Sequence, residues 1–269
     1  MLHDNGRVEE AERLYRAVIA LNQDHLGAIL SLAIICTEQQ RVEEATRLVG
    51  LALARNPTTC LAHCCIGHVL QAMQQYDLAI AHYQAALGLQ PDDPEARSGL
   101  ASAHNNLGNV LHVAHRSDEA VVHFQAALDI SPDYPEAHSN IGNALRRLDR
   151  MDEAVAHYQR SIALSPQPEA HNNLANAYLE LHAYDTAIEC YEAALALKPD
   201  YAIAHGNLGI ALQELNRSDE SFQHLQEALR LDPDNRQAQQ GLAFLYFKRG
   251  DVAEGNRHGR LGFQQRVET

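Results

Sequence analysis

The sequence predicts an all-α solenoid, a stack of antiparallel helix hairpins, and three observations carry that prediction. Prolines stand at Pro57, Pro91, Pro132, Pro166, Pro199 and Pro233, at intervals of 34, 41, 34, 33 and 34 residues. Gln23 fills the same slot one interval earlier. A fixed period of this length marks repeated supersecondary units. Between the prolines, apolar and small residues fall three, four and seven apart, the spacing of one buried helical stripe. The chain of 269 residues also lacks alternating strand patterns, contains no Trp and is rich in Ala and Leu.

Each unit divides into two helices. The first carries a large-then-small pair: Leu107-Gly108, Ile141-Gly142, Leu174-Ala175 and Leu208-Gly209. The second carries a small residue and then a large one, as in Ala120 and Phe124, Ala154 and Tyr158, or Ala187 and Tyr191. Glycine weakens a helix interior by roughly 1 kcal/mol relative to alanine, so its recurrence implies close packing. Asp118, Asp152, Asp185 and Asp219 mark the starts of second helices, as caps or first-turn acids. A single hairpin cannot bury its own face, so neighbours must stack. This pattern of slots resembles the tetratricopeptide repeat and covers nearly the whole chain. The resemblance implies a right-handed superhelical solenoid with one concave and one convex wall.

In register, residues 1–23 supply only the second helix of a leading repeat. Its apolar face (Ala11, Leu14, Tyr15, Val18, Ile19) then lacks one neighbour. Residues 24–233 hold six repeats, and the third, about 92–132, carries seven extra residues near 97–103. Seven residues are close to two helical turns, which predicts a lengthened first helix with Leu100 on the stripe of Leu107. The alternative is a bulge around Gly99. Residues 234–269 read as a degenerate repeat, with Gly255 in place of the usual alanine and Gly259 in the aromatic slot. They serve either as a cap on the stack or as a bridge into a following domain.

Composition narrows the partners. With 21 basic against 35 acidic residues the formal charge is −14, which disfavours nucleic acid and acidic membranes. The longest apolar stretch, Leu26 to Cys36, is too short and too polar to span a bilayer, and no leader opens the chain, so a cytoplasmic location is expected. Five cysteines, three of them in one predicted helix, form no disulfide framework and suit a reducing compartment.

A second pattern is not demanded by the core. Asn106, Asn140, Asn173 and Asn207 occupy one first-helix slot, and Asn109, Asn143 and Asn176 another three residues on. Asparagine is a poor helix former, whereas its amide both donates and accepts, as a peptide backbone does. The runs His104-Asn105-Asn106-Leu107-Gly108-Asn109, His138-Ser139-Asn140-Ile141-Gly142-Asn143 and His171-Asn172-Asn173-Leu174-Ala175-Asn176 are similar to repeats of the O-linked N-acetylglucosamine transferases and related bacterial proteins. That likeness implies an asparagine ladder on the concave wall gripping the backbone of a threaded peptide. Ser31, Ile34, Cys65 and His68 fill the same slots in the early repeats, so gripping belongs to the middle and late ones. The competing reading is that the asparagines bond neighbouring helices and stabilise the stack. Glu95, Glu136 and Glu169 recur at first-helix starts, where they complement the helix dipole. If Glu136 and Glu169 also border the groove, basic peptides are favoured.

Cys60, His63, Cys64, Cys65 and His68 offer soft ligands at i, i+4 spacing, yet they fill ordinary repeat slots and are read as packing residues, so no metal or cofactor is expected. His82, His123, His157 and His224 form one per-repeat ladder suited to packing or pH sensing. There is no Gly-rich phosphate loop, no H-E-x-x-H and no G-x-S-x-G, so no enzyme is expected. Three readings follow: a scaffold binding a protein or extended peptide, the substrate-recognition arm of a larger glycosyltransferase-like enzyme, and a homo-oligomer joined through the incomplete first repeat.

Overall fold

The computed structural model describes residues 7–55 and 59–264, with side chains to residue 259. The first six residues of the leading repeat, Pro57 and residues 265–269 lie outside that range. Every regular element among the described residues is an α-helix. They form two compact units, Met1–Ala137 and His138–Thr269.

In the first unit, α1 (Val8–Leu21) packs on α2 (Leu26–Glu38), α2 on α3 (Val42–Leu53), α4 (Cys60–Ala72) on α5 (Tyr76–Leu89), and α6 (Pro94–Val113) on α7 (Ser117–Ile130). First helices also meet across repeats, α2 against α4 and α4 against α6. The leading helix is clipped down by Arg16, which bridges Glu12 at 2.8 Å and Glu44 of α3 at 2.7 Å. The 20 residues of α6 exceed the 13 of α4 by the seven inserted ones. Gly99 is buried within this helix, and Leu100 and Leu107 are both buried on it.

The second unit contains α8 (Pro135–Arg147), which begins just before its boundary, then α9 (Met151–Leu164), α10 (Pro168–Glu180), α11 (Tyr184–Leu197), α12 (Ala202–Glu214), α13 (Ser218–Leu231), α14 (Arg236–Lys248) and α15 (Val252–Gln264). Here α10 packs on α9, α11 and α12, α12 on α13 and α14, and α14 on α15. The irregular terminal sequence thus still forms a second helix. Gly255 is buried there because Phe247 lies where its Cβ would be, 2.7 Å away.

The core repeats one contact: a large side chain of the second helix presses on the glycine of the first. A Cβ on Gly67 would stand 2.8 Å from the Tyr83 ring, and one on Gly99 of the next first helix 2.3 Å from it. Tyr83 is therefore wedged between two glycines and is fully buried. Phe124 over Gly108, Tyr158 over Gly142 and Leu225 over Gly209 repeat the arrangement. The small residue admits the neighbour's ring, which buries ~1.5–3 kcal/mol worth of apolar surface each time.

The turns between paired helices share another device. Gln40, Gln74, His115, Asp149, His182 and Asn216 have φ between 57° and 64°, and Gly250 has 81°. Each is followed by an amide that reaches back five residues, such as Gln75 N to Leu70 O at 2.9 Å and Arg217 N to Leu212 O at 3.0 Å. This is the left-handed helix ending that satisfies orphan carbonyls. The acids at second-helix starts prove to be first-turn residues rather than caps, since the cap positions are Arg116, Arg150, Ala183 and Arg217. Three of those arginines fold onto a glutamate three residues on, as Arg116 does on Glu119 at 2.6 Å.

Candidate functional site

The asparagines lie on the first helices of the middle and late repeats, and the structure divides them by what each amide does. Asn207 of α12 is only 6 % exposed. Its amide nitrogen donates to Asn172 Oδ1 and to Asn176 Oδ1 of α10, both at 3.1 Å. The Tyr191 hydroxyl donates to Asn176 Oδ1 at 2.6 Å, and the Tyr158 hydroxyl to Asn143 Oδ1 at 2.7 Å. Asn207, Asn176 and Asn143 therefore serve the packing, and Asn207 faces a neighbouring helix rather than an open wall.

The other rungs differ. Asn106 and Asn109 on α6 and Asn173 on α10 are half-buried, and their side chains take no hydrogen-bond partner among the described residues. Asn140 is half-buried on α8. Glu136 and Glu169 are exposed in the first turns of α8 and α10. Asn172, which lies outside the two asparagine slots, is 4 % exposed and accepts the bond that orients Asn207.

In the early repeats the same first-helix face carries no asparagine in these slots and mixes apolar with polar side chains. Ile34, Thr37 and Glu38 of α2 and His68, Val69 and Ala72 of α4 enclose a cavity of about 240 Å³. His68 lies edge-on to Tyr83 and 3.6 Å from Glu95. Beside the two inserted turns of α6, Arg97, Ser98, Ala101 and Ser102 face Ile130, Ser131, Asp133 and Tyr134 across a larger cavity of about 550 Å³. Ser98, Ser102, Asn106 and Asn109 follow one another at helical spacing, so the insertion extends the face that carries the rungs.

The second-helix histidines have partners on the first helices. Each pairs within its own hairpin with the first-helix histidine 19 residues earlier: His63 with His82, His104 with His123, His138 with His157, and His205 with His224. The Nδ1 atoms lie 2.9–3.0 Å apart. One ring must then donate and the other accept, and a second proton on the pair would destroy the bond. Burial, and then the partner ring, hold His82, His104 and His224 below the ordinary histidine value. His157 is lowered for the same two reasons.

No helix among the described residues is long and apolar enough to cross a membrane. What the geometry defines is a stack of helix hairpins in which the first helices α6, α8 and α10 carry partly exposed asparagines. Models of the tetratricopeptide repeat match residues 2–62, 58–133, 99–167, 133–198 and 166–234, and the chain belongs to that family. It is 30 % identical over 99 residues to the anaphase-promoting complex subunit 7 of Mus musculus and 29 % identical to that of Homo sapiens. Those matches cover 37 % of this chain and 17 % of each relative, so the chain spans less than a fifth of their length. Among solved structures it is similar to YrrB, described as a tetratricopeptide repeat protein with an unusual peptide-binding site, with a TM-score of 0.55, 22 % identity, and coverage of 71 % of this chain and 95 % of that one. It is also similar to pilF of Pseudomonas aeruginosa, with a TM-score of 0.58, 19 % identity, and coverage of 88 % and 99 %. These likenesses establish the fold.

Proposed function

We propose that this chain is a non-catalytic scaffold that holds an extended peptide, or an extended segment of a partner protein, against its first helices. Proteins built from these repeats are generally interaction scaffolds, and the structural neighbour YrrB is described as having an unusual peptide-binding site. The observation that carries the reading is the set of half-exposed amides of Asn106, Asn109 and Asn173, which the chain's own hydrogen bonds leave unused. Asparagine at such a helix position sacrifices propensity without an internal return. An extended backbone alternates donors and acceptors, which an amide can match irrespective of sequence. Within the second unit Asn140, Asn143 and Asn176 accompany Asn173 on the first helices, Asn143 and Asn176 being held in fixed orientation by tyrosine hydroxyls. Asn207 orients Asn176 from behind. Exposed Glu136 and Glu169 together with the charge of −14 select basic peptides.

The test is fluorescence anisotropy with labelled decapeptides of Gly, Ser and Lys against matched Glu-containing ones. Tighter binding of the basic series, weakened by Asn106→Ala, Asn109→Ala and Asn173→Ala together, is expected. Equal binding by the triple variant removes the ladder from the function.

A second reading rests on α1. Leu14 is 48 % and Leu21 91 % exposed on a helix that packs on α2 and is tied by ion pairs to Glu44 of α3 and to Arg41. A second copy covering this helix would bury both side chains. Sedimentation should then show a dimer that Leu14→Glu dissociates; a monomer at all concentrations rejects this reading.

A further inference from the structure

The cysteine-rich helix holds a feature that its repeat slots do not explain. Cys60 and Cys64 lie on α4 with their sulfurs 4.0 Å apart. Cys64 Sγ also lies 3.9 Å from Oδ1 of Asp93, the residue preceding α6. All three potential ligand atoms fall within 4.8 Å of one another. Cys64 is 1 % and Cys60 6 % exposed, while Asp93 is half-buried and borders solvent. Its carboxylate is held by the Ala96 amide, which donates to Oδ1 at 2.8 Å.

These spacings fit one ion. With zinc–sulfur bonds of about 2.3 Å and zinc–oxygen bonds of about 2.1 Å, tetrahedral geometry places two sulfurs about 3.8 Å apart and a sulfur and an oxygen about 3.6 Å apart. The Cys60–Cys64 and Cys64–Asp93 distances exceed these by two to three tenths of an ångström, and the remaining pair, Cys60 and Asp93, lies within 4.8 Å, so side-chain rotation of Cys60 and Asp93 closes the set on one ion. The histidines of the segment are engaged elsewhere: His63 with His82, and His68 with Tyr83 and Glu95. The ligand set is also unique to this junction. The slot of Cys64 holds Asn105, Ser139, Asn172 and Gly206 in later repeats, and the slot of Asp93 holds Tyr134, Gln167, Tyr201 and Asn235.

We propose that Cys60, Cys64 and Asp93 bind a thiophilic divalent cation of the zinc and cadmium class, with water at the fourth position, tying the second repeat to the start of the third. Two thiolates select a soft ion, and the carboxylate supplies a third donor oriented by the Ala96 amide in the manner of an outer-shell partner. Burial pushes the Cys64 thiol up to about 12 and raises Cys60 as well. The ion must therefore displace two protons: two sulfur–hydrogen bonds are exchanged for two metal–sulfur bonds, and two protons leave to solvent. The charged groups facing the thiols, Asp93 and Glu95, are anionic and favour the incoming cation.

The experiment titrates the untagged, reduced full chain with Cd²⁺ and follows the ultraviolet sulfur-to-metal charge-transfer absorption, with Zn²⁺ as competitor. One equivalent should saturate the signal, and Zn²⁺ should remove it. Cys60→Ser with Cys64→Ser should abolish it, whereas Cys65→Ser and Cys190→Ser should leave it intact. Asp93→Asn retains a good helix cap, so it should keep the fold and weaken Cd²⁺ affinity at least tenfold. Absence of the band in the folded parent at stoichiometric Cd²⁺, its persistence in the Cys60 and Cys64 variant, or unchanged affinity in Asp93→Asn would overturn the site.

Discussion

Replacing Asn207 by alanine separates the two kinds of rung. The Asn207 amide lies in a region 6 % exposed and makes two hydrogen bonds to α10 at 3.1 Å. Losing both costs about 1 kcal/mol each, and the Asn172 oxygen, 4 % exposed, is left short of a donor. Asn176 keeps its bond from Tyr191, so its share of the cost is smaller. Alanine returns roughly 0.6 kcal/mol of helix propensity. The net expectation is a loss of about 2 kcal/mol. The same substitution at Asn173, half-buried and with no hydrogen-bonding partner within the described chain, leaves only the propensity gain, so stability should be unchanged or about 0.5 kcal/mol higher. Equilibrium urea unfolding followed by circular dichroism measures both, with midpoint and slope compared because repeat arrays need not unfold in one step. An Asn207→Ala variant within 0.5 kcal/mol of the parent, or an Asn173→Ala variant that loses as much as Asn207→Ala, would refute the division.

Three further outcomes follow from the packing. Gly99→Ala places a methyl 2.3 Å from the Tyr83 ring, which Gly67 backs on its other side, so overpacking of about 1–3 kcal/mol should lower the thermal midpoint. Gln74→Gly relieves a non-glycine residue at φ 60° and should stabilise by up to about 1 kcal/mol, read from the same unfolding curves; a loss would mean the turn is unstrained. His82, His104, His157 and His224 sit below the ordinary histidine value, so the unfolded chain binds protons that the folded hairpins refuse. Stability is then complete above about pH 6.5 and is lost as pH falls below it. The thermal midpoint should drop between pH 7 and 5.5, less steeply in a His104→Gln, His123→Gln variant, and a flat profile would contradict the pairing.

Much of the fold is legible in the residues because a repeat states each packing rule several times. Leu107-Gly108 beside Phe124 and Ile141-Gly142 beside Tyr158 each predict a hairpin, and their recurrence makes register unambiguous. The seven extra residues appear as two added turns of α6 because they preserve the stripe from Leu100 to Leu107. What periodicity could not separate was the work of identical residues in one slot. Asn173 and Asn207 are equivalent in sequence, but only Asn207 turns its amide into α10, where Asn172 and Asn176 await it. The histidines likewise read as a column on one helix, whereas a 19-residue separation brings two columns together across each hairpin. Asp93 was hidden from the cysteine cluster because its contact with Cys64 spans 29 residues and arises only when repeats stack.

The measurement that tests the central claim most directly is the affinity of a labelled basic decapeptide for the parent and for the Asn106→Ala, Asn109→Ala, Asn173→Ala variant, with thermal midpoints recorded alongside. Loss of three neutral hydrogen bonds to a peptide backbone, at about 0.5–1.5 kcal/mol each, predicts binding weakened by roughly tenfold to a thousandfold while the midpoint stays within error. Equal affinity in the two proteins would contradict the account and return all seven asparagines to the packing of the stack.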